Sequence, residues 1–356
     1  MKIEFTAPQD WQDKLTLTPV FAVGETAPGS PGKTPGEVQL TAQHAGIISL
    51  GMPDSLNEET LRRAGGELAK WLRKFNVGQV GIFVDIFLDG QIQESLKALT
   101  EGLLLGDFDF TTHKSKAKPK PALTLHYLTA DDSRLLAEEV RQAEIIAKAV
   151  NLSRTLGHEP PNVLNPVTLA ARCEDIAEAS GMACIVLDDF ELAEMGAGAI
   201  VSVGKSSPTP SRLIILEYSG RGKGIGQPPL VLVGKAITFD TGGYSIKTKL
   251  GMVGQKYDLN GGAAVIGTMQ ALAALKLQSP VIGVIPAAEN MISSKAYRPN
   301  DIITSLSGKT IEIISADAEG RMVMADAFTY AQRTYSPRFL IDIATLTGGV
   351  VTALGR

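Results

Sequence analysis

The chain has few of the residues that build disulfide frameworks or histidine-rich metal sites. Only two of its 356 residues are cysteines, Cys173 and Cys184, so we expect no disulfide framework and a reducing compartment. Four histidines occur at scattered positions: His44, His113, His126 and His158. None of them belongs to an H-E-x-x-H word, which excludes a zinc site of that kind.

The chain also lacks an excess of charge of one sign and any long apolar run. Its 34 basic and 38 acidic residues give a formal net charge of −4, which offers no electrostatic case for binding nucleic acid or a membrane surface. The one basic run, residues 113–120, is interpreted as a solvated loop. No stretch is long and apolar enough to span a membrane, and acids interrupt residues 1–10, where a signal peptide would be apolar. We expect a cytoplasmic protein.

Length and periodicity predict an α/β protein of two domains. A chain of 356 residues exceeds the usual size of a single core. A long helix-like stretch from residue 132 ends at the breaker Pro160-Pro161-Asn162. We expect an N-terminal α/β domain over 1–131, a connecting helix and linker over 132–160, and a second domain over 161–356 with a mostly parallel sheet.

Within these domains, short apolar runs alternate with segments of helical periodicity. Helices are predicted over 57–75, 90–104, 261–276 and 321–334. Strands are predicted over 46–50, 81–85, 123–127, 213–216, 230–233, 281–285, 311–314 and 339–343.

Charged residues concentrate in three short words of the second half. Residues 317–321 read Asp-Ala-Glu-Gly-Arg, between a strand-like run and a helix-like segment. Upstream, residues 234–247 read G-K-A-I-T-F-D-T-G-G-Y-S-I-K, and residues 256–264 read K-Y-D-L-N-G-G-A-A. Seven charged residues of these words, four carboxylates, two lysines and one arginine, are selected as site candidates: Asp240, Asp258, Asp317, Glu319, Lys235, Lys247 and Arg321.

Four carboxylates in one pocket require compensating cations, because burying each ion unpaired costs several kcal/mol. Two divalent cations would cancel the four charges. Oxygen-rich ligand sets suit Mg²⁺, Mn²⁺ and Zn²⁺, and paired metals recur in phosphatases, nucleases and aminopeptidases. Taken singly, each acid could instead cap a helix or form a surface ion pair, and Lys235 could be a solvated lysine. Four acids in segments rich in Val, Ile, Ala and Gly favour a shared pair of metals.

The words resemble the signature of the M17 leucyl aminopeptidase family, including its peptidase B branch. That signature is G-K-G-x-T-F-D-[ST]-G-G-x-[SN]-[IL]-K followed by N-T-D-A-E-G-R-L, and residues 154–166 resemble the family's linker word. By this resemblance five residues fall on metal-ligand positions: Lys235, Asp240, Asp258, Asp317 and Glu319. Lys247 and Arg321 fall on the two catalytic positions.

The resemblance implies a fold and a mechanism. The fold is a smaller N-terminal α/β domain plus a larger C-terminal α/β/α catalytic domain with a mostly parallel central sheet, assembled as a hexamer. The implied reaction is hydrolysis of the N-terminal residue of a peptide by a water that two metals, Zn²⁺ or Mn²⁺ and possible Mg²⁺, activate. Lys247 would stabilise the oxyanion, and Arg321 would hold bicarbonate.

The resemblance also assigns each ligand to a metal. Asp240 and Glu319 would bridge both ions, whereas Asp258 and Lys235 would serve the ion that binds the substrate's free amino group. Asp317 would serve the other ion. The identity of the metal at each position stays open.

Two departures from the family pattern shape the expectations. Gln255 stands at a pocket-lining position and makes the pocket more polar, so a preference for leucine is not assumed. Residues 344–356 resemble an internal family segment, so we expect a catalytic domain incomplete at its C-terminus. The alternative functions are a non-catalytic, metal-retaining binding or scaffold protein, such as a DNA-accessory member of the family, and a dinuclear phosphoesterase.

Overall fold

The computed structural model describes residues 1–20, 34–87, 95–117, 120–130, 134–222 and 225–355. The chain divides into two compact units, Met1–Asn151 and Leu152–Arg356. The finer division at residues 131 and 160 stays a prediction. The start of the predicted helix 90–104, and Lys118 and Pro119 of the basic run, lie outside the described residues. No helix within the described residues is both long enough and apolar enough to cross a membrane.

The first unit is built on one six-stranded sheet. Its strands are β1 (Lys2–Thr6), β2 (Thr16–Val20), β3 (Val38–Ala42), β4 (Ala45–Ser49), β5 (Gln79–Phe83) and β6 (Thr124–Leu128). In the order β1-β6-β5-β2-β4-β3, all neighbours are parallel except the β3–β4 hairpin. The helices are α1 (Glu58–Lys74), α2 (Ser95–Gly106) and α3 (Arg134–His158), of which α3 continues into the second unit.

Helix α1 shows why the predicted helices form where they do. Asn57 caps its first turn by accepting a hydrogen bond from the backbone N–H of Thr60 at 3.0 Å. Acidic side chains lie in the first turn and basic side chains in the last, which complements the helix dipole. Its apolar side chains recur at helical spacing and are buried against the sheet and α2.

The second unit contains the remaining elements. Its helices are α4 (Pro166–Ser180), α5 (Asp189–Glu194), α6 (Gly198–Gly204), α7 (Lys249–Met252), α8 (Asn260–Leu275), α9 (Glu319–Tyr335) and α10 (Gly349–Leu354). Its strands are β7 (Ala183–Leu187), β8 (Arg212–Tyr218), β9 (Leu230–Gly234), β10 (Ala236–Asp240), β11 (Val281–Asn290), β12 (Ile302–Thr304), β13 (Thr310–Glu312) and β14 (Phe339–Ile343).

The large sheet of this unit runs in the order β14-β9-β11-β8-β7, with β10 also paired to β11. Strands β14, β9, β11 and β10 pair in parallel, whereas β8 is antiparallel to both of its neighbours. Alternate residues of β9 enter cores on opposite faces: Val231 and Val233 pack with α6 and α9, and Leu232 packs with α4 and α8. The expected α/β/α arrangement with a mostly parallel sheet is confirmed.

One predicted strand lies elsewhere than expected. The sequence predicts a strand over 311–314, and the structure has the strand β13 there, but β13 ends at Glu312. Its expected place in the main sheet is wrong, because β13 pairs with β12 in a separate antiparallel hairpin. The turn between them closes at Gly308, whose φ of +86° suits glycine. The residues before Asp317 are therefore a loop, which carries the acidic word to the edge of the main sheet.

Candidate dinuclear metal site

All seven residues singled out in the sequence line one cavity of the second unit. The cavity has a volume of about 590 Å³ and contains Lys235, Asp240, Lys247, Asp258, Asp317, Glu319 and Arg321 in its wall. Residues 344–348 and Gln255 complete much of the remaining wall. The charged words, which extend from Gly234 to Arg321 in the chain, thus meet at one place in the fold.

Strand and helix ends position these side chains. Lys235 lies between β9 and β10, where its backbone N–H donates to the carbonyl of Ile343 at 3.1 Å. Asp240 is the last residue of β10, and Glu319 is the first residue of α9. Asp258 lies in a short 3₁₀ segment directly before α8. Carboxyl ends of parallel strands and helix starts meet at this edge, which is where open α/β sheets bind ligands.

The inner part of the cluster is centred on the ammonium group of Lys235, a residue that is 1% exposed. Its Nζ lies 2.8 Å from Asp258 Oδ2 and 2.9 Å from Glu319 Oε1. It also donates to the carbonyl of Thr345 at 3.0 Å. Burial opposes the charge of Lys235, but the attraction of Glu319 and Asp258 outweighs it, so the pKa of Lys235 is raised.

The outer part of the cluster is centred on Lys247. Its Nζ lies 2.7 Å from Asp240 Oδ2 and forms a close ion pair with Asp317 Oδ1. Burial again opposes the charge, and the hydrogen bonds to Asp240 and Asp317 outweigh it, so the pKa of Lys247 is raised. The Asp317 side chain is 35% exposed, which makes this the side of the cluster nearer to solvent.

Asp258 is the carboxylate whose protonation the site alters most clearly. Burial raises the pKa of Asp258 to about 7, although Lys235 and the hydroxyl of Thr345 favour the charged form. Thr345 Oγ1 donates to Asp258 Oδ1 at 2.7 Å. Burial of this acid is therefore a cost of the metal-free site, which Lys235 and Thr345 offset only in part.

Two glycines allow the close approach of these groups. A Cβ on Gly320 would lie 2.7 Å from Lys235 Nζ, so a side chain there would displace the buried ammonium. Gly242 has a φ of +83°, and a Cβ there would lie 3.0 Å from Asp317 Oδ1 and 2.6 Å from the Ser245 carbonyl oxygen. The turn that returns the chain from Asp240 to Lys247 therefore requires glycine.

The donor set fits divalent cations. Ligand atoms of Asp240, Asp317 and Glu319 all lie within 4.8 Å of one another, which is close enough for the three carboxylates to share a metal ion. Each of the two lysine ammonium groups lies between two carboxylates, which is a favourable position for a cation. Four carboxylates and two ammonium groups leave two negative charges, and oxygen ligands suit hard or borderline metals.

Arg321 differs from the two lysines. It is the third residue of α9, lines the cavity and is exposed. Within the described residues it forms no ion pair closer than 4.0 Å. Its guanidinium group is therefore available to a planar anion in the cavity.

Comparison with known proteins identifies the family to which the chain belongs. The catalytic-domain model of the cytosol aminopeptidase family matches residues 151–356, more than half of the chain. The chain belongs to the cytosol aminopeptidase family. The family's N-terminal domain model matches residues 35–117. The resemblance to M17 aminopeptidases that the sequence words carry is thereby confirmed.

Curated relatives in the cytosol aminopeptidase family are similar over most of this chain. A probable cytosol aminopeptidase of Geotalea uraniireducens (strain Rf4) is 43% identical over 326 residues, covering 89% of this chain and 64% of the relative. One from Exiguobacterium sibiricum is 40% identical, covering 90% of this chain and 66% of the relative. One from Syntrophotalea carbinolica is 40% identical, covering 97% and 73%. The chain thus spans about two thirds of the length of these relatives.

A solved structure shares the fold. The bottromycin maturation enzyme BotP in complex with Mn is 28% identical, with a TM-score of 0.82 over 96% of this chain and 74% of that chain. A second structure of BotP gives a TM-score of 0.81. Both units of this family member therefore have counterparts in an experimentally determined structure.

Sequence reasoning missed two buried polar residues that surround the carboxylates of this cytosol aminopeptidase family member. Asn290 is 0% exposed and donates through Nδ2 to Asp240 Oδ1 at 2.8 Å. Tyr297, 1% exposed, donates through its hydroxyl to the carbonyl of Ala316 at 2.7 Å. Asn290 is visible in the sequence only as a polar residue at the end of the apolar run that forms β11, which does not indicate its contact with Asp240.

Proposed function

We propose that this chain is a metal-dependent aminopeptidase that removes the N-terminal residue from peptides. The observation that carries the proposal is the convergence of all seven predicted residues on one cavity, with two lysine ammonium groups each set between two carboxylates. Membership in the cytosol aminopeptidase family supports the same activity. The proposed metals are two Zn²⁺ or Mn²⁺ ions, with Mg²⁺ as a further candidate.

Five residues would hold the metals: Lys235, Asp240, Asp258, Asp317 and Glu319. When bound, such a pair of ions lowers the pKa of water and polarises the carbonyl of the substrate. Asp240 and Glu319 each direct one oxygen at a lysine ammonium and the other at Asn290, so neither carboxylate is free to rotate. This preorganisation limits the cost of assembling the site.

Lys235 has to lose a proton before its amine can act as a ligand. In the metal-free arrangement its raised pKa keeps it an ammonium ion, bound to Asp258 and Glu319. Metal ligands must be deprotonated, so occupation of the site is expected to release this proton. In this metal-free arrangement, Lys235 also donates a hydrogen bond to the carbonyl of Thr345, which keeps its side chain at the inner wall of the cavity.

Lys247 and Arg321 would contribute charge to catalysis. Lys247 reaches the cavity from the turn after β10, where its ammonium group can stabilise the oxyanion that develops on the attacked carbonyl. Its raised pKa keeps it charged at neutral pH. Arg321 would bind a planar anion, for which bicarbonate is the proposed species and which would supply a base for proton transfer in the cavity.

The proposed substrates are peptides with a free N-terminus, because the metal held by Asp258 and Lys235 would bind the free amino group. Gln255 lines the cavity and donates to the carbonyl of Gly251 at 2.7 Å, which adds a polar surface to the wall. A preference for small or polar N-terminal residues over leucine is consistent with that surface. A hexameric assembly and a cytoplasmic location complete the proposal, and both rest on the family.

The test is hydrolysis of a panel of aminoacyl anilides and dipeptides by the purified chain supplied with Mn²⁺ or Zn²⁺. Matched controls are the chelator-treated protein and the Lys247→Ala variant. We expect cleavage that requires metal and is lost in the variant. Bound metal without cleavage of any substrate would favour the non-catalytic binding protein, and release of phosphate from an aryl phosphate ester would favour the phosphoesterase.

A further inference from the structure

Asn290 lies behind two of the proposed metal ligands without facing the cavity. It is the last residue of β11, a strand whose ten residues are all buried. Asp240, the last residue of β10, is its partner in the parallel register of the two strands. The two side chains therefore meet because both strands end at the same level, beside the start of α9.

The amide of Asn290 contacts three acceptors. Nδ2 donates to Asp240 Oδ1 at 2.8 Å and to the carbonyl of Ala316 at 3.0 Å, and it lies 3.5 Å from Glu319 Oε2. Exchanging the amide oxygen and nitrogen would set an oxygen against three other oxygens. The orientation with the NH₂ group toward the carboxylates is therefore the favourable one.

Asn290 contacts one oxygen of each of the two carboxylates. Asp240 Oδ1 accepts from Asn290 and from the backbone N–H of Gly242, each at 2.8 Å, and Oδ2 lies 2.7 Å from the ammonium of Lys247. Glu319 directs Oε2 to Asn290 and Oε1 to the ammonium of Lys235 at 2.9 Å. One oxygen of each acid thus faces the position of a cation, while the other faces Asn290.

We propose that Asn290 is a positioning residue that orients Asp240 and Glu319 toward the two metals. This inference rests on the proposed function, since it concerns the same site. Groups that hydrogen-bond to metal ligands fix the ligand orientation, and their removal typically weakens metal affinity by about 10- to 100-fold. A single amide that bonds two ligands also ties the two cation positions to each other.

Tyr297 provides a matched control. Its hydroxyl donates to the Ala316 carbonyl, the acceptor that it shares with Asn290, and its described hydrogen bond goes to no carboxylate. Tyr297→Phe removes this bond and leaves the bonds to Asp240 and Glu319 in place. A role of Asn290 that was limited to holding the backbone at Ala316 would make the two residues equivalent.

The experiment measures Mn²⁺ affinity and stoichiometry by titration of the full chain, with free Mn²⁺ followed by electron paramagnetic resonance. The variants are Asn290→Leu and Asn290→Ala. Leucine keeps the approximate shape of the side chain but removes the NH₂ group that contacts Asp240 and Glu319. We expect about a 10- to 100-fold rise in Kd for both variants, and less than about a threefold change for Tyr297→Phe. For a variant that folds only with metal, the Mn²⁺ concentration at half-folding replaces Kd.

The outcomes separate this inference from the proposed function. A wild-type chain that binds no Mn²⁺ would contradict both. Wild-type binding together with an unchanged Kd in the Asn290 variants, or an equal loss in Tyr297→Phe, would overturn the positioning role alone. An Asn290→Leu variant that stays unfolded at saturating Mn²⁺ would assign Asn290 to the core instead.

Discussion

Helix α1 and the cavity of the second unit contain the same kind of ion pair in opposite environments. On α1, Arg63 Nε lies 3.0 Å from Glu59 Oε1, and the two side chains are 73% and 58% exposed. In the cavity, Lys235 Nζ lies 2.9 Å from Glu319 Oε1, and the side chains are 2% and 3% exposed. The two distances are nearly equal, but the first pair is exposed to solvent and the second is buried.

The difference in solvent exposure implies different roles for the two ion pairs. An exposed pair contributes about 0–1 kcal/mol, because water already solvates both charges. A buried pair has a desolvation cost that its attraction does not always offset, so stability alone is a weak reason for burying it. The cavity pairs make physical sense as the metal-free state of a site that exchanges ammonium groups for metals.

The largest expected effect comes from removing the buried cation. Lys235→Met leaves Asp258 and Glu319 buried without their partner, and we expect the metal-free protein to lose about 3–5 kcal/mol in its free energy of unfolding. Urea unfolding in the presence of a chelator measures this loss. A loss below about 1 kcal/mol in the free energy of unfolding would show that the buried pairs of Lys235 contribute no more than the exposed pairs of α1.

The second effect concerns the outer lysine. Lys247→Met keeps an unbranched side chain but removes the charge beside the attacked carbonyl, so we expect kcat to fall by about 10²- to 10³-fold. Bound metal is expected to stay near the wild-type stoichiometry, which elemental analysis of the dialysed variant checks. Complete loss of both metals from this variant would show that Lys247 organises the site instead of assisting the reaction.

A smaller loss is expected at the unpaired guanidinium group. Arg321→Ala removes the proposed anion site, and we expect turnover to fall by about 10²-fold, the lower end of the range for proton-transfer assistance. Added bicarbonate should raise the activity of the wild type but not that of the variant. Loss of both metals in Arg321→Ala would contradict this division of roles.

The buried position of Asp258 predicts a pH dependence of the stability of the metal-free protein. The pKa of Asp258 is raised from 3.8 to about 7 in the folded state, so the folded state holds a proton that the unfolded state releases. Its contribution to stability is complete below the unfolded pKa and is lost as the pH rises through about 7. Relative to Asp258→Asn, the chelated wild type should therefore be less stable at pH 8 than at pH 5. A difference that stays constant between these pH values would contradict the raised pKa.

The smallest effect is expected on the exposed side of the comparison. Arg63→Ala removes a solvated pair, and we expect the free energy of unfolding to change by less than about 1 kcal/mol. Peptidase activity and Mn²⁺ affinity should equal those of the wild type. A large effect on either would indicate that α1 communicates with the cavity.

The sequence predicts much of this fold because the decisive patterns are local. Helices α1, α8 and α9 and strand β14 lie where periodicity places them. The strand expected over 311–314 is present as β13, but a turn at Gly308 pairs it with β12 and not with the main sheet. Apolar alternation carries no information about the partner of a strand.

The seven charged residues could be selected from the sequence because they occur in short words beside strand ends. Asn290 could not be selected in this way, since its contact with Asp240 depends on the register between β10 and β11. Thr345 is a similar case, because its bonds to Lys235 and Asp258 require β14 to lie beside β9. Pairing between distant segments has no local signal in a single sequence.

The most direct test of the account is anomalous diffraction from crystals of the full chain grown with saturating Mn²⁺. We predict two anomalous peaks about 3.5–4 Å apart among Asp240, Asp258, Asp317 and Glu319, with the amine of Lys235 bound to one of them. A cavity that shows no peak, with both lysines still paired to the carboxylates, would contradict the claim that this cluster is a dinuclear metal site.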